Sequence, residues 1–343
     1  MSLLPTSVWV AVVTVETKAP LLIATGAGDD LRDTVCVTDA NGLPALPGSS
    51  IAGVLRAACP AEHRDRLFGK AERAENGGSV RSPLTVGWGA VHAQDNQPVS
   101  PMPGEMPAND AVLTFLMAGI MRDHVRINAR GAADSTGKFD VSSVPVGARF
   151  SFELRLDAPT ATDIARFMAI LASGEFRLGG HTRRGLGLLT LVEIRARTFD
   201  FSKAADFVDW KRWAAEPNLA SRASQLSRVK VDTSPSPKTV YGRWKLDLTA
   251  DAAWRVGGGT PGEADQVSSV KWQGPQRKIE AKVVDLAPVR EIRILWSAAG
   301  RAALSEPALV LPGTAIKGAI RHRTSFHLRR LNGAFGSPDR PCE

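Results

Sequence analysis

A short segment occurs twice in this chain, and the repeat limits what the chain can fold into. The first copy reads LPGSSIAGVLR at residues 46–56, and the second reads LPGTAIKGAIR at residues 311–321. In each copy a Pro-Gly turn is followed by apolar residues at helical spacing, and Ser49 and Ser50 in the first copy can cap the helix. The repeat therefore predicts two related structural units, each with a helix that starts directly after a tight turn.

The start of such a helix favours anions, because its first amide groups lack acceptors and the helix dipole is positive there. The candidate contacts within the first two turns are Ser49, Ser50, Gly53 and Arg56 in the first copy, and Thr314, Lys317 and Arg321 in the second. Residues 201–343 hold 23 Lys and Arg against 14 Asp and Glu, whereas residues 1–200 hold 20 against 21. This basic excess favours a polyanionic partner.

The sequence of residues 1–200 predicts strands and helices in the order of a known supersecondary unit. The β-branched run from Ser7 to Thr17 predicts a central strand buried on both faces. Residues 150–156 alternate apolar and polar, which predicts a half-buried strand, and Thr160 with Asp163 forms a capping box that begins a helix. Together with strands at 85–91 and 186–197 and a hairpin at 123–150, this predicts an α+β, ferredoxin-like (RRM-like) βαββαβ unit with a hairpin insertion, present as two copies in tandem.

A second glycine-rich segment, GGHTRRGLG at residues 179–187, lies between the predicted helix and the closing strand. This order is wrong for a dinucleotide site or a P-loop, in which glycines lie between a strand and a helix. Glycines let a ligand backbone approach closely, and guanidinium groups bind phosphates. The predicted anion contacts here are Gly180, His181, Arg183 and Arg184.

The two glycine motifs, in this order, resemble the PGSSxKGxxR signature and the C-terminal glycine-rich loop of the RAMP superfamily, the RNA-cradling subunits of type III CRISPR effector complexes. The resemblance covers residues 1–200. It departs from the family at Ala52, where the family has Lys, whereas the second copy has Lys317. It implies a guide CRISPR RNA, a target RNA and other CRISPR effector subunits as partners, and a sheet that leaves one face open for RNA.

The hairpin segment at residues 125–147 resembles the thumb of the same family, which crosses the guide–target duplex and displaces bases at regular intervals. Its implied basic contacts are Arg126, Arg130 and Lys138. The segment departs from the family at Asn128, where Asp is usual, and it lacks the acidic residue before Val144-Pro145.

One aspartate carries the implied chemistry. The segment DTVCVTD at residues 33–39 resembles the family pattern D-[ST]-x-V-x-x-D, which implies that Asp33 is catalytic and binds Mg²⁺ or Mn²⁺. A carboxylate there can hold the metal and help to orient a 2′-hydroxyl for attack on its own phosphate. The segment TGAGDDLRDTV aligns without a gap to GGGTPGEADQV at residues 257–267, so Asp265 is the corresponding candidate in the second copy.

Two other functions remain open at this point. The same fold could be a structural RNA cradle without cleavage, in which Asp33 is a turn residue. It could also be a metal-independent ribonuclease with a histidine as general base, although no histidine pairs in sequence with a lysine or with the single tyrosine, Tyr241. The histidines are His63, His92, His124, His181, His322 and His327.

The predicted domain organisation is uneven. Residues 1–200 form a complete unit, residues 201–238 a helical segment with a linker, and residues 239–343 only the N-terminal part of a second unit. The three cysteines form no CxxC pair, and no segment has the length and flanks of a signal peptide or a membrane span. We therefore expect a cytoplasmic protein with no membrane partner.

Overall fold

The computed structural model describes residues 5–26, 28, 34–70, 79–102, 106–128, 133–231, 247, 249, 251, 256–259, 266–273, 276–283 and 287–333. The first unit and the helical segment that follows it contain eight strands and six α-helices within these ranges. In chain order they are β1 (Ser7–Thr17), α1 (Gly48–Ala58), α2 (Ala61–Phe68), β2 (Leu84–Val86), β3 (Ala90–Val91), α3 (Ala111–Ala118), β4 (Ile120–Ile127), β5 (Ala133–Ser143), β6 (Arg149–Asp157), α4 (Ala161–Ala172), β7 (Leu189–Asp200), α5 (Ala204–Ala215), α6 (Leu219–Ser224) and β8 (Ser227–Arg228).

The main sheet has the strand order β2-β6-β1-β7-β8, and every neighbouring pair is antiparallel. Strand β3 also pairs with β6, so β2 and β3 together form one interrupted edge strand. The connection from β1 through α1 and α2 to β2, and the connection from β6 through α4 to β7, each link two parallel strands that have one strand between them. This is the split βαβ arrangement of the ferredoxin-like fold. The predicted fold class is therefore confirmed.

Strand β1 is buried on both faces, as its continuous β-branched run predicts. Trp9, Ala11 and Val13 face the main core, which also contains α1, α4 and the phenylalanines of β6. Val8, Val10 and Val12 face the other side and pack with a second cluster, whose remaining members are Phe199, Trp213 and Leu226.

This second cluster overturns the expectation of an open sheet face. Helices α5 and α6 cover β1 and β7, and Arg222 on α6 forms an ion pair with Glu153 on β6. The valine side chains of β1 would otherwise be exposed to water, and their burial stabilises the covered arrangement. RNA therefore has no access to this part of the sheet.

Helix α1 begins at Gly48, before either of the serines that were predicted to cap it. Pro47 occupies the N-cap position without a side-chain cap, and its carbonyl oxygen accepts hydrogen bonds from the amides of Ser50 and Ile51 at 3.0 and 3.2 Å. The expectation that Ser49 and Ser50 cap the helix is therefore wrong. Both serines instead lie inside the first turn of the helix, directly after Gly48, where a Cβ would lie 2.2 Å from the carbonyl oxygen of Val86.

Helix α4 confirms the other capping prediction. The side-chain oxygen of Thr160 accepts a hydrogen bond from the Asp163 amide, and the Asp163 carboxylate accepts one from the Thr160 amide at 3.1 Å. Asp163 also accepts a hydrogen bond from Arg66 Nη1 of α2 at 3.0 Å. Although burial opposes it, these hydrogen bonds lower the pKa of Asp163 to about 2.

The described part of residues 239–343 consists of short antiparallel hairpins and one long helix. The elements are β9 (Gly257–Gly259), β10 (Gln266–Gln273), β11 (Gln276–Val283), β12 (Ala287–Pro288), β13 (Arg290–Glu291), β14 (Ile294–Trp296), β15 (Ala302–Leu304), β16 (Ala308–Leu309) and α7 (Gly313–Leu331).

Strand β14 packs directly against the first unit. Ile294 is 2% exposed and belongs to the main core, and its amide donates to the carbonyl oxygen of Val146 at 3.0 Å. The indole N–H of Trp296 donates to the carbonyl oxygen of Gly147 at 2.7 Å, and the Arg149 guanidinium lies 4.1 Å from the centroid of its ring. The two parts of the chain therefore share one core at this point.

Candidate nucleic-acid interface

The glycine-rich loop between α4 and β7 is compact and rigid. A Cβ on Gly179 would lie 2.0 Å from the carbonyl oxygen of Leu22, and one on Gly187 would lie 1.9 Å from that of Leu178. Between these glycines, Thr182–Arg184 form a short 3₁₀ turn. The Arg184 amide donates to the carbonyl oxygen of His181 at 2.8 Å. The loop thus holds its basic residues on a fixed backbone.

Helix α7 of the second copy meets this loop. Lys317 Nζ donates a hydrogen bond to the carbonyl oxygen of Arg183 at 3.0 Å, and Gly313 approaches the carbonyl oxygen of Arg184. The predicted anion contacts of two different motifs are therefore brought together in space. We call this surface the junction patch; its residues are His181, Arg183, Arg184, Lys317 and Arg321.

The junction patch is strongly cationic. Arg183, Arg184, Lys317 and Arg321 are exposed, and no ion pair with a carboxylate is found for them within the described ranges. Burial and the neighbouring Arg184 lower the pKa of His181, so its imidazole is neutral at neutral pH. Thr314 is half-buried in the first turn of α7, beside the patch. Several exposed cations without acidic partners attract phosphate groups.

Helix α1, which contains the first PGSS motif, does not belong to the junction patch and starts beside β2. Ser49 and Gly53 are exposed, and Ser50 is half-buried. A Cβ on Gly53 would have no neighbour within 4 Å, so packing inside the protein does not require a glycine there. Arg56 instead bonds within the unit, since its Nη1 donates to the carbonyl oxygen of Gly69 at 2.9 Å and its Nη2 lies 3.4 Å from an oxygen of Asp65.

Strands β4 and β5 form the predicted thumb hairpin, with Val125 opposite Lys138. Arg126 and Lys138 are exposed, and Arg130 lies outside the described residues. At the base of the hairpin Arg122 forms an ion pair with Glu291 of β13. The side chains of this pair are 14% and 3% exposed, and burial lowers the pKa of the Arg122 guanidinium. Sequence reasoning missed this pair, because nothing in the local sequence of either residue predicts their contact.

The two candidate catalytic aspartates, Asp33 and Asp265, lie outside the described residues. The residue after Asp33 is described: Thr34 forms a parallel bridge with Val141 of β5, and its carbonyl oxygen accepts a hydrogen bond from the Ser142 amide at 3.2 Å. Asp39 acts as a turn residue, because its Oδ1 accepts from the amides of Asn41 and Leu43 at 2.9 Å each. No cluster of three or more metal-ligating side chains occurs in the part of the chain that the structure describes.

His92 is the histidine with the most distinctive environment. Its Nε2 lies 2.7 Å from Ser151 Oγ and its Nδ1 lies 3.1 Å from Asn96 Oδ1. Burial, partly offset by the bond to Asn96, lowers the pKa of His92 to about 4. The residue is 4% exposed, so it is inaccessible to an RNA substrate. Its role is to satisfy hydrogen bonds within the core.

Comparison with models of protein families gives a match over half of the chain. The model of the RAMP superfamily matches residues 14–190, which span β1 to the start of β7 and include the first PGSS helix, the thumb hairpin and the glycine-rich loop. No curated protein matches the chain. Among the described residues, no helix has the length and apolarity needed to cross a membrane. The match covers more than half of the chain, which therefore belongs to the RAMP superfamily.

Proposed function

We propose that this protein is a CRISPR RNA-binding backbone subunit of a type III-like effector complex. Proteins of the RAMP superfamily are generally CRISPR-associated RNA-binding proteins. The observation that carries the proposal is the junction patch, in which the glycine-rich loop of one copy and the PGSS-type helix of the other present exposed cations side by side.

The patch is suited to an RNA backbone more than to a single small anion. Its cations belong to two elements and have no carboxylate partners in the described part of the chain, so several phosphates can be neutralised in succession. The hydrogen-bonded turn fixes the backbone that carries Arg183 and Arg184 before RNA binds, which reduces the entropy lost on binding.

The salt dependence of RNA binding tests this proposal. If about six phosphates are neutralised, the logarithm of the affinity for single-stranded RNA should fall against the logarithm of salt concentration with a slope of about −4. Replacing Arg183 and Arg184 together by Ala should weaken binding whatever the sequence and make the slope shallower by about 1.4. Lys211→Ala, at an exposed cation on α5, is the matched control and should change neither quantity. A flat salt response in the wild type would reject the RNA-cradle function.

A second proposal concerns cleavage of guide-complementary target RNA at Asp33. It is supported by the family pattern at residues 33–39 and by the bridge between Thr34, the residue after Asp33, and Val141 near the base of the hairpin. Asp33 would hold Mg²⁺ or Mn²⁺, which when bound supplies positive charge at the scissile phosphate. The exposed Arg126 and Lys138 of the hairpin would hold the RNA strand beside it. Asp265 is proposed as the corresponding residue for a different cut.

Cleavage is tested with guide RNA, complementary target, Mg²⁺ and the partner subunits. Asp33→Ala should abolish one product and leave target binding intact, and Asp265→Ala should abolish another if the second copy is active. Retention of every product in Asp33→Ala would reject this site and leave the non-catalytic RNA cradle. Cleavage that persists in the presence of a chelator would favour a histidine-based ribonuclease.

A further inference from the structure

Trp88 is an exposed aromatic residue on a fixed backbone. It lies in the Gly87-Trp88-Gly89 segment between β2 and β3, and 60% of its surface is exposed. The Gly87 amide donates to the carbonyl oxygen of Glu153 at 2.9 Å. Gly89 and Leu46 exchange two backbone hydrogen bonds of 2.8 and 3.0 Å. Since both flanking residues are tied to neighbouring segments, the indole is held outward by an ordered edge strand.

The same segment packs against the turn that begins α1. A Cβ on Gly89 would lie 2.9 Å from Leu46 Cβ, and one on Gly48 would lie 2.2 Å from the carbonyl oxygen of Val86. Trp88 is therefore next to the first turn of α1, which contains the exposed Ser49 and no acidic residue. This places an aromatic face beside the first PGSS motif, whose helix start is a predicted anion contact.

Trp88 stands alone as an exposed apolar side chain in this region. It belongs to neither apolar core, and no other large apolar residue of α1 or of residues 84–93 is exposed. Protein-binding hot spots are normally surrounded by further contacts that exclude water. A single exposed aromatic ring beside a predicted phosphate contact is instead typical of base stacking in single-stranded RNA recognition.

We propose that Trp88 stacks on a nucleobase of the RNA whose backbone passes the first turn of α1. This inference rests on the proposed RNA-binding function and adds a residue that recognises bases rather than phosphates. Stacking on an indole is tolerant of sequence, because every base has an aromatic face. The contact would hold one base of the guide in a fixed place without reading its identity.

The test uses the full chain and two probes of equal length, an oligouridylate and an abasic ribose-phosphate chain of about 12 nucleotides, within the site sizes of such proteins. Trp88→Ala should weaken binding of oligouridylate by about 5- to 100-fold and leave binding of the abasic probe unchanged. The slope of affinity against salt should stay the same, because stacking releases no counterions. Trp88→Phe should restore most of the affinity. Phe207→Ala, at an aromatic residue of α5 that is 39% exposed, is the control and should have no effect.

Four results would overturn the inference. Equal binding of oligouridylate by wild type and Trp88→Ala would remove Trp88 from the RNA site while leaving the RNA-cradle function intact. Equal losses on both probes would show a backbone contact or a folding defect instead of stacking. Unchanged RNA binding combined with lost association of purified partner subunits would make Trp88 a protein contact. A wild type that binds neither probe would reject the proposed function itself, and the stacking role with it.

Discussion

Replacing Ile294 by Ala tests whether the second part of the chain completes the core of the first. Ile294 is 2% exposed and packs in the main core. The substitution removes the transfer free energy of about three methylene equivalents, at about 0.8 kcal/mol each. The cavity left behind adds to this loss, so we expect the free energy of unfolding to fall by about 3–4 kcal/mol.

The neighbouring residue provides the control. Leu295 is 55% exposed on the same strand, so Leu295→Ala should change the free energy of unfolding by less than about 0.5 kcal/mol. Both variants are measured by urea unfolding, and the midpoint should shift for Ile294→Ala at an unchanged m-value. If Ile294→Ala were as mild as Leu295→Ala, β14 would be only a surface attachment and the shared core would be wrong.

Four further predictions follow from the packing. His92 has a folded-state pKa of about 4, so acid should destabilise the fold as the pH falls from about 6.5 towards 4, by up to about 3 kcal/mol. Urea unfolding at several pH values should show that His92→Gln loses less stability over this range than the wild type. An equal loss in both proteins would contradict the lowered pKa of His92. Gly187→Ala should lower the melting temperature more than Gly185→Ala. Both glycines have positive φ, at which an alanine costs about 1–2 kcal/mol, but only at Gly187 would the added Cβ also clash with a carbonyl oxygen. Equal melting temperatures of the two variants would refute this difference. A fragment of residues 1–200 should fold alone, but its urea midpoint should be lower than that of residues 1–231. The longer fragment retains α5 and α6, which cover Val8, Val10 and Val12. A higher midpoint for the shorter fragment would contradict the stabilising role of these two helices. Residues 239–343 should not unfold cooperatively alone, because none of the side chains described in α7 is buried within the chain.

Much of the first unit could be predicted because its signals are local. The alternation in β6 and the capping box of α4 lie within single segments, and each depends on neighbours a few residues away. The hydrophobic run of β1 also predicted two buried faces correctly. That prediction conflicted with an open sheet face, and the structure resolves the conflict through α5 and α6.

The sequence predicted a helical segment at residues 201–238, but not that its helices cover the sheet, and it did not predict the junction patch. Exposed apolar residues such as Phe207 and Val208 weaken the amphipathic pattern of α5, so its buried face is not apparent. The Lys317–Arg183 contact joins residues of two different motifs that are far apart in sequence. Contacts of this kind depend on how whole units pack, and no local pattern encodes them.

The central claim of the proposed function is that this protein carries a guide RNA. The RNA that co-purifies with the protein tests this claim directly. The protein should be purified from cells together with its associated nucleic acid, and that RNA should be sequenced. If the protein carries a guide RNA, the recovered RNAs should contain CRISPR repeat and spacer sequence. Their recovery should fall in the Arg183→Ala/Arg184→Ala variant but not in Lys211→Ala. Recovery of no RNA, or of RNA without repeat-derived sequence, would contradict it.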